Sequence, residues 1–88
     1  MGLSDSVEAL GLARGEPVRF RRADRARWQA GTVTRREKDG SIGIVDGRGA
    51  AYAIPIDRVE VRAEGPRGGG GWEPLADRAA RTEQMRLL

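Results

Sequence analysis

Residues 27–61, RWQAGTVTRREKDGSIGIVDGRGAAYAIPIDRVEV, decide the fold of this chain. Short runs of β-branched and aliphatic residues are separated by turn residues, as is typical of consecutive short strands. Asp39-Gly40 predicts a tight hairpin turn, because these residues readily adopt the positive φ angles that such turns need. The segment DGRG predicts a second turn, and Pro55 begins a third. The stretch therefore predicts four strands joined by short turns.

A further strand precedes this stretch. Val18 and Phe20 alternate with Arg19 and Arg21, which is the period of a half-buried strand. Gly31, in the middle of the second strand, predicts a bulge or a sharp bend there. Five short strands without an intervening helix predict an all-β fold, a small five-stranded antiparallel barrel. The predicted core consists of apolar strand residues: Val18, Phe20, Val33, Ile42, Ile44, Ile54, Val59 and Val61.

Residues 16–62 resemble the SH3-like small barrels of the Tudor and KOW kind. The resemblance rests on W-x-x-G-x-V from Trp28 to Val33, on the Asp-Gly turn, and on the final DRVEV segment. It implies a five-stranded barrel with a one-turn 3₁₀ connection before the last strand. Barrels of this kind include nucleic-acid binders, readers of methylated lysine or arginine, and protein scaffolds, so the resemblance leaves the function open.

The flanking segments differ from the barrel in composition. The N-terminal segment, with Val7, Leu10 and Leu12, predicts a short helical turn or a disordered arm. The segment AEGPRGGGG predicts a flexible linker. After it, Trp72 and Leu75 begin a thin apolar stripe on a predicted helix, a stripe too narrow to hold the helix strongly against a core. The helix is either free or docks weakly on the barrel with Trp72 as its anchor. The predicted division is 1–14 arm, 15–62 barrel with nearly all regular structure, 63–71 linker and 72–88 partly helical tail.

Composition excludes several classes of function. The chain has no cysteine and no histidine, so it offers no disulfide, no thiolate metal ligand and no imidazole for proton transfer. The acidic residues are scattered among turns and arginines, and the glycine run lacks the following Gly-Lys-Ser/Thr of a phosphate loop. The sequence predicts no enzyme, no metal and no cofactor. Because no apolar run could span a bilayer and no signal peptide is recognisable, it predicts a cytoplasmic protein without a membrane partner.

Basic residues are concentrated in the barrel segment. The formal net charge is +3, and between positions 14 and 62 twelve basic residues stand against seven acidic ones. This distribution predicts either a surface for DNA, RNA or another partner, or an ordinary solvated charged face. The predicted binding residues are Arg19, Arg21, Arg27, Trp28, Arg35, Arg36 and Tyr52.

Two details of that surface are expected. Arg19, Arg21, Arg35 and Arg36 should share one outer face of the first two strands. Trp28 and Tyr52 could stack on bases beside these arginines, whereas two rings are too few for a cage around a methylated cation. The alternatives are that Trp28 seals the end of the barrel and that the tyrosine is a cross-strand partner on the outer face.

The segment Gln84-Met85-Arg86-Leu87-Leu88 ends the given sequence. It resembles the linear motif by which bacterial replication and repair proteins bind the sliding clamp of DNA polymerase: glutamine, leucine or methionine, a free position, leucine, then phenylalanine or leucine. The resemblance implies that Gln84, Met85, Leu87 and Leu88 contact the clamp and that Arg86 faces solvent. In the other interpretation, Met85 and Leu88 belong to a last helical turn that packs on the barrel.

The sequence therefore predicts a non-enzymatic adaptor of DNA replication or repair. Its tail would dock on the clamp while its basic barrel contacts DNA or a protein. A nucleic-acid-binding or transcription- and translation-associated barrel, with a tail that packs on its own domain, is the alternative. A structural module that pairs with a second copy is the third interpretation.

Overall fold

A computed structural model describes residues 6–63 and 70–86, without the side chain of Arg86. Six antiparallel strands form one sheet in the order β4-β3-β2-β1-β5-β6. Short 3₁₀ turns lie at Glu8–Leu10 and Ile56–Arg58, and a helix, α1, spans Leu75–Arg86. The strands are β1 (Pro17–Phe20), β2 (Gln29–Arg36), β3 (Ile42–Asp46), β4 (Ala51–Ile54), β5 (Val59–Arg62) and β6 (Trp72–Pro74).

The two predicted hairpin turns of the central strands are confirmed. Gly40 and Gly49 adopt φ angles of 91° and 84°, which side chains disfavour. The Asp39 carboxylate accepts a hydrogen bond of 2.9 Å from the backbone N–H of Ser41, and Asp46 closes the second turn in the same way. Each turn is therefore held by its own aspartate.

The sheet has six strands, whereas the sequence predicted five. The additional strand, β6, pairs with β5, with Trp72 opposite Arg62. Beyond that pair, the Ala63 N–H donates to the Gly71 carbonyl at 2.8 Å, so both ends of the glycine-rich segment meet. The predicted flexible linker falls mainly on residues 64–69, outside the described residues. Strands β4 and β6 are the two edges of the described sheet, and no closed barrel is seen there.

The predicted core is confirmed. All eight residues proposed from strand alternation are buried, and Phe20, Ile42, Ile44 and Val61 have no exposed surface. The N-terminal segment adds three buried residues, and the start of α1 adds one. These additions are Val7, Leu10, Leu12 and Leu75.

Helix α1 packs on the sheet and on the N-terminal 3₁₀ turn. Leu75, its first residue, is fully buried in the core, and Ala79, one turn later, is partly buried against it. Val61 faces the core, so its neighbour Arg62 points to the outer face of the sheet. Trp72 lies opposite Arg62, and its side chain therefore projects from the same outer face. The alternative in which Trp72 anchors the helix is therefore not what the structure shows: Leu75 is the residue of α1 that enters the core. The expectation that residues 15–62 hold nearly all regular structure is also wrong, because β6 and α1 follow them.

The predicted bulge does not lie at Gly31. The register shift between β2 and β3 lies between Val33 and Arg35, not at Gly31. A Cβ at position 31 would lie 2.5 Å from a side-chain carbon of Ile44 and 3.0 Å from the Val45 carbonyl oxygen. Glycine is therefore needed there because β1, β2 and β3 approach closely around the core.

We expect Gly31→Ala to destabilise the protein by about 1–3 kcal/mol, because the added methyl group overpacks the core. Gly47→Ala is the matched control, since a Cβ at position 47 has nothing within 4 Å. Urea unfolding followed by circular dichroism measures both free energies of unfolding. Equal stability of the two variants would contradict this role for Gly31.

Candidate functional site

Strand alternation places one row of polar and aromatic side chains on the outer face of β1, β5 and β6. Because Val18 and Phe20 face the core, Arg19 between them faces outward, opposite Glu60 on β5. Two residues further along β5, Arg62 lies opposite Trp72 on β6. The row therefore crosses three strands that are joined by pairing, not by sequence proximity.

Cations and rings alternate along this face. The guanidinium carbon of Arg19 lies 4.5 Å from the ring centroid of Trp28 and 5.2 Å from that of Trp72. Arg21 lies 4.6 Å from Trp28, and Arg62 lies 5.1 Å from Trp72. All four distances are within the range of cation–π attraction. We call these five residues the outer stack.

The outer stack carries an excess of positive charge. Arg19 forms an ion pair with Glu60. Within the described ranges, no carboxylate lies within ion-pair distance of Arg21 or Arg62. The Nε–H of Arg21 is secluded from solvent and has no hydrogen-bond partner among those residues. Three guanidinium groups therefore meet one carboxylate, and one donor is left unused.

Tyr52 lies on the opposite face of the sheet from Trp28. It pairs with the buried Ile44, and its ring centroid is 5.1 Å from that of Phe20. Its hydroxyl donates to Asp46 at 3.1 Å, and the guanidinium of Arg22 lies 5.4 Å from its ring centroid. Tyr52 and the tryptophan thus share no pocket, so the described fold forms no aromatic cage from them. Tyr52 is a cross-strand partner of Ile44, but on the core-facing side of the sheet. The alternative that placed it on the outer face is therefore wrong.

Hydrogen bonds to Asp46 depress the pKa of its carboxyl group. The main causes are the backbone N–H groups of Ala50 and Arg48, with a smaller contribution from the Tyr52 hydroxyl. Each of these favours the ionised carboxylate. The Tyr52 hydroxyl therefore donates to the same aspartate that closes the turn between β3 and β4.

The remaining predicted arginines are not part of the outer stack. Arg35 and Arg36 lie at the far end of β2 from Trp28. Arg35 pairs with Glu37 at 3.2 Å, while Arg36 borders a surface cavity beside Ile56 and Ala76. Arg27 is exposed. The prediction that Arg19, Arg21, Arg35 and Arg36 share one outer face is wrong for Arg36. After the bulge between Val33 and Arg35, Arg36 lies opposite the buried Ile42.

Charged side chains attach α1 to the rest of the domain. Arg78 forms ion pairs with Glu16 and Glu73 and donates to the carbonyl oxygen of Arg62 at 2.8 Å. Arg81 makes two hydrogen bonds of 2.8 Å to the Glu73 carboxylate. These guanidinium groups, Arg81 first, lower the pKa of Glu73 below its ordinary value. The helix is thus held by Leu75 within the core and by ion pairs around it.

The predicted clamp-binding motif begins on the last turn of α1. Gln84 is exposed, and 66% of Met85 is exposed, although Leu75 on the same helix is fully buried. Leu87 and Leu88 lie outside the described residues, as does the side chain of Arg86. The described part of the motif therefore packs little against the domain.

Trp72 and Arg62 are the members of the outer stack that sequence reasoning missed. They meet only because β6 returns to pair with β5, and the three-residue β6 has no alternating pattern of its own. One feature of the sequence could have indicated this pairing. The glycine-rich segment lies between the runs that form β5 and β6, and such a segment is compatible with a hairpin loop as well as with a linker.

No family model, curated protein or solved structure matches the chain. Among the described residues, acidic side chains form no group that could hold a metal ion. The helix in the described ranges is not long and apolar enough to cross a membrane. The structure itself therefore provides the grounds for a functional proposal.

Proposed function

We propose that this protein is a non-enzymatic adaptor that docks on the sliding clamp of a DNA polymerase through residues 84–88. The proposal combines the motif Gln84-Met85-Arg86-Leu87-Leu88 with one structural observation. Met85 is the only large apolar residue in the described ranges that is exposed, and it occupies an anchor position of the motif. A solvent-facing methionine at this position supports recognition by a partner more than a role in the core.

The placement of contacts along α1 also supports the proposal. Leu75, Arg78 and Arg81 make the contacts that hold the helix, and all three precede the motif. Thr82, which also precedes the motif, lies beside Gly11 of the N-terminal segment. The motif can therefore bind a partner without disturbing the attachment of the helix.

Docking in an extended form requires the last helical turn to unwind. Helix ends open at a free-energy cost near zero when they lack buried contacts. Gln84 and Met85 are both exposed, so unwinding removes few contacts within the domain. The apolar anchors and the planar amide of Gln84 then offset the ordering entropy, which for a short segment allows affinities of about 1 μM.

The sheet provides the second contact of the adaptor, with DNA or a protein. We assign it to the SH3-like small barrels, because Pro55 leads into a one-turn 3₁₀ connection at Ile56–Arg58 directly before β5, as that resemblance implies. A domain that holds one partner while its motif holds another makes the second binding event intramolecular. Moderate affinities at both sites are then sufficient for function.

The proposal predicts different effects at neighbouring positions of the motif. Gln84→Ala should weaken clamp binding by about 1–3 kcal/mol, because a pocket that accepts an amide is left with unpaired polar groups. Arg86→Ala, at the free position, should bind like the wild-type chain. Titration of each protein against purified clamp by calorimetry measures the effect. Absence of binding by the wild-type chain at high micromolar clamp would end the proposal.

A further inference from the structure

We infer that the outer stack is a binding site for single-stranded nucleic acid. The inference concerns the second contact of the proposed function, the one made by the sheet, and it rests on that part of the proposal only. It does not depend on clamp binding. The site is Arg19, Arg21, Trp28, Arg62 and Trp72.

The aromatic content of the protein is distributed in a way that favours a ligand. The chain has four aromatic residues, and its two tryptophans both lie on the outer face, partly buried, rather than in the core. They flank a single guanidinium, that of Arg19. Aromatic rings on an open sheet surface can stack on unpaired bases, and every base has a face that can do so.

The charge of the same surface complements a phosphate backbone. Arg21 and Arg62, at the two ends of the outer stack, have no carboxylate within ion-pair distance among the described residues. A guanidinium that stacks on a ring retains its outward N–H groups, which match phosphate oxygens in geometry. Each end of the stack therefore offers a phosphate contact beside a ring.

The alternation of rings and cations distinguishes single strands from other anionic partners. In a duplex the base faces are stacked on one another, so the two tryptophans would have nothing to contact. An acidic peptide would use the arginines without the rings. Only a single strand, of DNA or RNA, presents phosphates and free base faces together.

The two tryptophans also report on the site. Because they are the only ones in the chain, quenching of intrinsic tryptophan fluorescence measures binding at the outer stack directly. The full chain is titrated with an oligothymidylate of about 12 nucleotides, within the usual site size of such surfaces. Oligouridylate of the same length tells whether the sugar matters, and a duplex of that length tests the preference for single strands.

Matched variants test the residues. Trp28→Ala should weaken oligothymidylate binding by about 5- to 150-fold, the range expected for one lost base stack. Arg21→Ala and Arg62→Ala should each flatten the slope of log K against log salt by about 0.7, one lost phosphate contact on a single strand. Arg35→Ala removes the same charge far from the stack, and it should leave the affinity within about twofold.

Several results would overturn the inference. These are no quenching by either oligonucleotide, tighter binding of the duplex, effective competition by polyglutamate, or equal loss of affinity in Arg21→Ala and Arg35→Ala. Melting curves check that each variant is folded, and Arg62→Ala, at an exposed position, keeps the test valid if Trp28→Ala unfolds. Gln84→Ala should bind the oligonucleotide normally, so a failure of clamp binding and a failure of this site are separate outcomes.

Discussion

Leu75→Ala is expected to destabilise the whole domain by about 2–5 kcal/mol, the usual cost of emptying a buried leucine site. Leu75 is fully buried among core residues of the sheet although it belongs to the C-terminal helix. A single core of this size provides only about 3–5 kcal/mol of net stability. The substitution should therefore leave the protein largely unfolded or lower its melting temperature by on the order of 10–30 °C.

Met85→Ala is the matched control for Leu75→Ala. It also replaces a large apolar side chain of α1 by alanine, but Met85 is 66% exposed. We expect a change of stability within about 0.5 kcal/mol, as for other surface substitutions. Thermal melts followed by circular dichroism compare the two proteins. A similar loss in both would mean that the last turn of α1 packs on the domain, and a silent Leu75→Ala would mean that the helix is not part of the core.

The double substitution Leu87→Ala, Leu88→Ala should abolish clamp binding. Each leucine contributes about 1.5–3 kcal/mol when it is fully buried in a pocket. Loss of both would reduce a contact of about −8 kcal/mol to near-millimolar strength or weaker. Titration against purified clamp, at the concentrations that saturate the wild-type chain, measures the effect.

The same double variant separates the adaptor from a self-packing tail. If the leucines bind the clamp, the melting temperature and the oligonucleotide affinity of the double variant should equal those of the wild-type chain. If they pack on the domain instead, the variant should melt earlier and there should be no clamp binding to lose. Unchanged clamp binding in the double variant would contradict the assignment of the motif.

Local signals predicted the central sheet well. The Asp-Gly turn at residues 39–40 and the alternation around Phe20 depend on residues next to each other in sequence, so their structural consequences can be read without the fold. For the same reason all eight predicted core residues are buried. The N-terminal turn was predicted from the same kind of signal.

The errors concern features that depend on distant parts of the chain. The register shift of β2 lies after Val33, and the residues that crowd Gly31, Ile44 and Val45, belong to β3, so neither feature can be read from the sequence of β2 alone. The side chains of Arg36 and Tyr52 lie on a different face of the sheet from the one expected. The face of each depends on the register of its strand with β3, which the local sequence does not reveal. The outer stack includes Trp72 only because β6 pairs with β5, which no short window of sequence indicates.

The pairing of β1 with β5 has a consequence for the order of folding. Strands β1 to β4 pair through successive hairpins, whereas the bond from Arg19 to Glu60 joins residues 41 positions apart. Closing so long a loop is entropically costly and therefore late. Strand β6 pairs with β5, and α1 packs against β5 and β6 as well as the N-terminal 3₁₀ turn, so its full set of contacts forms only after that closure. The stability lost in Leu75→Ala should therefore appear as faster unfolding at an almost unchanged folding rate. Growth of the chain from a ribosome would thus allow β1 to β4 to pair before α1 and the proposed clamp-binding motif emerge.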